Sequence, residues 1–196
     1  MSELDQIQKL REMTGAGIMD CKQALQESEF NIDTAIDYLR EKGKAEAAKK
    51  SAREAKEGIV YSYIHPGNKL GVLVEVNCET DFVARNDEFG DLVKEIAMQI
   101  AASDPKWITR EDVDEDEIER EKQIIKKQLT EQGKPEHIMD KIIEGKLNKF
   151  YSQNCLVEQP YIRDDKKSVD DLIKDAVAKI GENIVISRFA RFKVGE

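Results

Sequence analysis

The chain predicts an α+β fold: an N-terminal three-helix bundle, a spacer helix, then a core of antiparallel sheet covered by helices with an inserted helical hairpin. Three observations carry this. Apolar residues alternate along 58–65 and 69–78, as two strands facing a core require. Helical spacings fill the first 43 residues and most of the middle of the chain. A last strand-like run, 184–194, returns after those helices, and strands placed early and late around central helices make an α+β core rather than a parallel βαβ array.

Each element has its own warrant. In 2–43, Leu4, Ile7, Leu10 and Met13 stripe a first helix, and Thr14-Gly15-Ala16-Gly17 breaks it, since glycine takes the left-handed conformation that closes a helix. Residues 18–27 form a second. Ile32, Ala35, Ile36 and Leu39 stand at the spacing of a third, which Gly43 is expected to end. Forty residues make a marginal core, so the module 1–43 is expected to work by contact. Ile18 and Met19 fit two readings, simple core packing or an apolar patch meeting a partner and flanked by Arg11 and Lys22. Residues 44–56 are alanine-rich with alternating charges, the composition of a semi-rigid helical spacer, and place a domain boundary ahead of the core, 57–196.

The core opens with a hairpin. Ile59, Tyr61 and Tyr63 alternate on one strand and Leu70, Val72, Val74 and Val76 on the next, around Pro66-Gly67-Asn68. Phe89, Leu92, Val93, Ile96, Ala97 and Ile100 then give a helix a wide apolar face, stopped by Asp104-Pro105. In 112–153, Ile118, Ile124, Ile125 and Leu129 stripe one helix, Gly133-Lys134-Pro135 turns the chain, and Ile138, Met139, Ile142, Ile143, Leu147 and Phe150 stripe the return, a hairpin like a short antiparallel coiled coil. The acids of 112–121 read as a solvated face opening a helix. Residues 155–162 are expected as a strand; Ser168 and Asp171 form a near capping box for a helix through Ile180, with Gly181 as its stop.

Composition excludes several function classes. The 196 residues are 36% charged with a formal net charge of -9, a balance that argues against nucleic-acid binding, because phosphate contacts need clustered Lys and Arg. Protein partners are favoured. No apolar run approaches the ~20 residues of a membrane span, and 1–10 lacks the apolar centre of a signal peptide, so the cytoplasm is the expected compartment. Cys21, Cys78 and Cys155 are odd in number and far apart, with only His65 and His137 as other soft ligands, and are expected as reduced thiols. There is no phosphate loop, no dinucleotide fingerprint and no nucleophile beside either histidine, so neither a GTPase, a hydrolase, a metal site nor a cofactor is expected.

One stretch remains, 75–85, E-V-N-C-E-T-D-F-V-A-R. A strand ends here and its last residues enter a loop before the core helix, placing an acid, Asp81, beside an aromatic ring, Phe82. From spacing alone the pair reads equally as a turn residue and a core filler. The stretch resembles a signature of the bacterial translation elongation factor Ts family, unbroken over its eleven residues. A second resemblance lies at 10–25, L-R-E-M-T-G-A-G-I-M-D-C-K-Q-A-L, and K-I-G-E-N-I at 179–184 is similar to the family again. The resemblance implies a nucleotide exchange factor for the GTPase elongation factor Tu, a regulator and not an enzyme. The family's T-D-F-V segment maps onto Thr80, Asp81, Phe82 and Val83. There Phe82 would act as an apolar wedge between two helices of Tu's nucleotide-binding domain, displacing Mg²⁺, with Asp81 adding polar contacts. The N-terminal bundle would be of the ubiquitin-associated type, gripping Tu through Arg11, Ile18, Met19 and Lys22.

Two departures from the family pattern stand out. Many relatives carry His in an A-M-H segment that presses on Tu's phosphate loop; here Ala97-Met98 is followed by Gln99, which is carried over as a partner-binding residue able to hydrogen-bond. Longer relatives contain two related core halves, whereas this chain has material for one, and a single half leaves sheet edges and an apolar face uncovered. That predicts a symmetric homodimer. The alternative is a non-exchange adaptor using the bundle, a reading that gives Asp81-Phe82 no role; an RNA-associated factor is disfavoured by the acidic balance.

Overall fold

The computed structural model describes residues 2–196. Helix α1 (Glu3–Thr14) starts at a capping box: the Ser2 hydroxyl accepts the Asp5 N–H at 3.2 Å and the Asp5 carboxylate accepts the Ser2 N–H at 2.9 Å. It ends at Gly15, whose φ of +69° turns its N–H back to the Arg11 carbonyl at 2.7 Å. Helices α2 (Ile18–Glu27) and α3 (Ile32–Lys50) complete the bundle, the last capped by the Asn31 side chain accepting from the Thr34 N–H. Ile7, Leu10, Cys21, Ala24, Leu25 and Ala35 are buried together, with Ile32, Ile36 and Leu39 against them. Leu4 and Met13, expected on the first stripe, are exposed.

Helix α3 corrects the expected boundary at Gly43. It runs through that glycine to Lys50, and residues 51–56 are not helical. Gly43 serves close approach: a Cβ there would stand 3.1 Å from the Cβ of Ala178. Arg40 and Lys44 both reach the Asp171 carboxylate, at 3.5 and 2.6 Å. The stretch read as the start of a spacer is therefore held by packing and charge.

Strands β1 (Glu57–Ile64) and β2 (Leu70–Cys78) form the expected hairpin. Gly58, at φ +147°, lets the strands meet where a Cβ would lie 2.2 Å from the Val76 carbonyl oxygen. On β2, Val72, Val74, Val76 and Cys78 are buried while Leu73 between them is exposed, so one face is turned inward. After a single helical turn, α4 (Asp81–Ala84), comes α5 (Asp87–Ser103), which buries Phe89, Leu92, Val93, Ile96, Ala97 and Ile100 and ends at Asp104-Pro105 as expected. Helices α6 (Glu115–Glu131) and α7 (Glu136–Asn154) form the expected hairpin around Ile125, Leu129, Met139 and Leu147.

The strand expected at 155–162 is not formed. Cys155 makes an isolated bridge to Trp107, Leu156–Glu158 is a 3-10 turn, and only β3 (Pro160–Tyr161) pairs, antiparallel, with β4 (Asp164–Ser168). Helix α8 (Val169–Ile180) and strand β5 (Val185–Lys193) close the chain. The main sheet has the order β1-β2-β5. Arg188 pairs with Glu75 at 2.7 Å and the Val194 N–H reaches the Lys69 carbonyl at 2.9 Å, so β5 runs antiparallel to β2. The architecture is α+β.

The described residues gather into two compact units, 2–61, Val74–Glu95 and Asp171–Phe189 in one, and Ser62–Leu73, Ile96–Asp170 and Ala190–Glu196 in the other. Among the described residues no helix is long and apolar enough to cross a membrane.

Candidate partner-binding surface

The surface is built on the end of β2. Thr80 leaves the strand in extended conformation and caps α4, its hydroxyl oxygen accepting the Val83 N–H at 3.4 Å. The Arg85 N–H returns to the Asp81 carbonyl, and the Arg85 guanidinium meets the Asp81 carboxylate at 3.0 Å. What was expected as a loop is thus one wound turn. Its second residue, Phe82, is 81% exposed, and α4 buries none of its residues. Phe82 is not a core filler. Its ring stands in water at the tip of the turn.

Side chains distant in sequence hold this turn. The carboxylate of Glu182 accepts the backbone N–H of Glu79 and of Thr80, both at 3.0 Å, and the Thr80 hydroxyl at 2.6 Å. Glu79 reciprocates by accepting the Asn183 N–H at 2.7 Å. Asn183, buried, donates through its amide to the carbonyl of Arg53 at 2.7 Å. Reading the sequence for chemistry passed over Glu182 and Asn183. The only signal was the K-I-G-E-N-I resemblance around them.

The bundle presents a second exposed group. Ile18 and Met19, 56% and 75% exposed, open α2, and Lys22 follows one turn on, also exposed. Arg11 is exposed on the last turn of α1. Of the two readings of Ile18 and Met19, core packing is therefore excluded. Gln99 is different: it is 1% exposed, and its amide nitrogen lies 3.1 Å from the Ser103 hydroxyl and 3.2 Å from both the Gln159 side-chain oxygen and the Pro160 carbonyl. Its oxygen accepts the Ile162 N–H at 2.9 Å. The amide carried over as partner-binding is spent inside the protein because it stands on the buried face of α5.

Among the described residues no group of His, Cys, Asp and Glu is placed to hold a metal. The three cysteines are unbridged and buried. Burial pushes the thiols of Cys78 and Cys155 up to about 11, so both stay protonated at neutral pH.

The family profile described as Elongation factor TS matches residues 4–196. The chain belongs to the elongation factor Ts family. It is 58% identical over 190 residues to Elongation factor Ts of Thermoanaerobacter sp. (strain X514), covering 97% of this chain and 93% of that protein. It is 59% identical to Elongation factor Ts of Caldanaerobacter subterraneus subsp. tengcongensis, with 97% and 95% covered. Against Elongation factor Ts of Thermotoga neapolitana it is 56% identical over 193 residues, with 98% and 97% covered. The match to the elongation factor Ts family takes in the bundle, α4 and the Glu182 region alike.

Proposed function

We propose that this protein is a guanine-nucleotide exchange factor that binds elongation factor Tu in its GDP state and promotes GDP release during translation elongation in the cytoplasm. The observation that carries the reading is Phe82, an aromatic ring left in water on a capped helical turn inside the family signature. Exchange needs no bond made or broken. GDP and the factor weaken each other's hold on Tu by the same free energy. Loosening GDP a thousandfold takes ~4 kcal/mol of the factor's own binding energy, directed into the GDP site. The Mg²⁺ that bridges the phosphates and the phosphate loop of such GTPases is the part whose loss weakens GDP most directly.

Phe82 does this work as a wedge between two helices of Tu's nucleotide-binding domain. Thr80 sets the turn, Asp81 offers polar contacts at its foot, and Val83 extends the apolar edge. The bundle supplies affinity through Arg11, Ile18, Met19 and Lys22, an apolar pair flanked by cations of the kind that grips an acidic-rimmed groove. The module 1–43 then acts as a gripping domain of ubiquitin-associated type, and 57–196 carries the wedge and the dimer contact. Gln99 supports the fold and makes no push of its own.

The working form is a symmetric homodimer. Ile64, Leu73, Phe192 and Val194 are all exposed around an open hollow of about 470 Å³ on one sheet face, apolar surface of the kind a second copy covers.

Stopped-flow release of a fluorescent GDP from elongation factor Tu tests the reading. The wild type should accelerate release strongly, and Phe82→Ala should still bind Tu while accelerating at least about tenfold less. Failure of the wild type to change the rate would leave the bundle surface as an adaptor's contact and end the exchange reading. Equal acceleration by both proteins would keep exchange but move its cause away from Phe82.

A further inference from the structure

Phe82 has an orientation that its own side chain cannot set. The ring is 81% exposed and α4, four residues long, buries nothing. The ring itself therefore does not hold the turn, whose Val83 and Ala84 are only half-buried. Polar ties to its backbone help fix its position: the Cys78 thiol donates to the Thr80 carbonyl at 3.2 Å, and three further bonds converge on one residue. Both oxygens of the Glu182 carboxylate are used: one accepts two consecutive N–H groups, of Glu79 and Thr80, and the other accepts the Thr80 hydroxyl proton. Two successive N–H groups can point at one oxygen only if the backbone is turned there, so the carboxylate selects the conformation in which β2 breaks into α4. The hydroxyl contact sets the cap. With its proton given to Glu182, the Thr80 oxygen has lone pairs free for the Val83 N–H, so a line of bonds runs from Glu182 through Thr80 into the residue beside Phe82. The Glu79 carboxylate closes the clasp from the other side on Asn183, and its second partner is Arg53 at 3.5 Å.

We propose that Glu182 is the positioning residue of the wedge: it touches nothing on the GTPase and acts by holding the turn that aims Phe82. The inference rests on the exchange reading above and names the residue on which that reading depends beyond the T-D-F-V segment. A carboxylate is the group required, because all three partners are donors and only an ionised acid offers acceptors alone.

The test pairs a functional readout with one taken on the free protein. Glu182→Ala is compared with wild type and Phe82→Ala in stopped-flow release of a fluorescent GDP from elongation factor Tu, and backbone hydrogen exchange at residues 79 and 80 is followed without Tu. The maximal acceleration should fall about tenfold or more in Glu182→Ala, with the half-saturating concentration within about twofold of wild type. The two amides should lose at least about tenfold in protection. Glu182→Gln, whose side-chain oxygen still accepts both amides but whose nitrogen cannot take the hydroxyl proton, should recover amide protection fully and acceleration in part. Full acceleration by Glu182→Ala overturns the inference whatever the amides do, and so does a lowered rate with both amides still protected. A wild type that leaves GDP release unchanged ends the exchange reading and this inference with it, an outcome separate from failure of the variant alone. Should Glu182→Ala not fold, Thr80→Val breaks the same line from the other end; acceleration equal to wild type there overturns the proposal.

Discussion

At the scale of single residues, exposure separates Phe82, Ile18 and Met19 from the side chains of the core. Phe82 loses no packing on truncation, so Phe82→Ala should leave the unfolding free energy within about 0.5 kcal/mol of wild type while exchange falls, and a matched pair of urea titrations checks this. The buried thiols behave oppositely. Burial raises Cys78 and Cys155 from an ordinary 9.0 to about 11. An unfolded thiol gives up its proton first as pH rises, so the stability these groups contribute is complete below 9 and is lost between 9 and about 11. Urea unfolding should show this decline, and Cys155→Ala should make it shallower. How much of this the sequence revealed differs residue by residue. Leu10, Ala35 and Phe89 announced themselves by helical spacing and are buried. Phe82 could not, because an aromatic after a strand is equally a core filler by spacing, and only the family resemblance marked it. Glu182 could not either, because its partners lie over a hundred positions away in the chain.

Among the elements, those whose pattern is internal were legible: the hairpin of β1 and β2, the apolar face of α5 and the paired helices α6 and α7 all stand close to where periodicity put them. Errors fell where a neighbour decides. Gly43 reads as a helix stop, but the helix continues because the glycine makes room for Ala178. The 155–162 run reads as a strand, but its short pairings depend on Trp107 and on 164–168, which no local pattern reports. The turn at 81–84 reads as loop because one helical turn has no period to detect. Gly58 shows the same dependence from the other side, since its reason is the carbonyl of Val76 across the hairpin. Gly58→Ala should cost about 1–3 kcal/mol, read as a lowered urea midpoint with an unchanged slope.

Whole-molecule behaviour follows from the sheet. Its order puts β1 and β5 at the edges, and Phe192 and Val194, each 72% exposed, flank the open hollow beside Ile64 and Leu73. Static light scattering at micromolar concentration should give twice the 22.4 kDa chain mass, and Phe192→Asp should give the single-chain mass with secondary structure retained. A wild type found at the single-chain mass would remove the dimer from the proposed working form. The clasp on the 79–82 turn has a different kind of consequence, one of timing. Glu182 is made 100 residues after Phe82, and β5 follows it. On a ribosome adding about 5–20 residues each second, Phe82 is therefore synthesised several seconds before the carboxylate bonded to its turn. A nascent chain cut short of residue 182 should carry the aromatic ring yet accelerate GDP release less than one extended past β5.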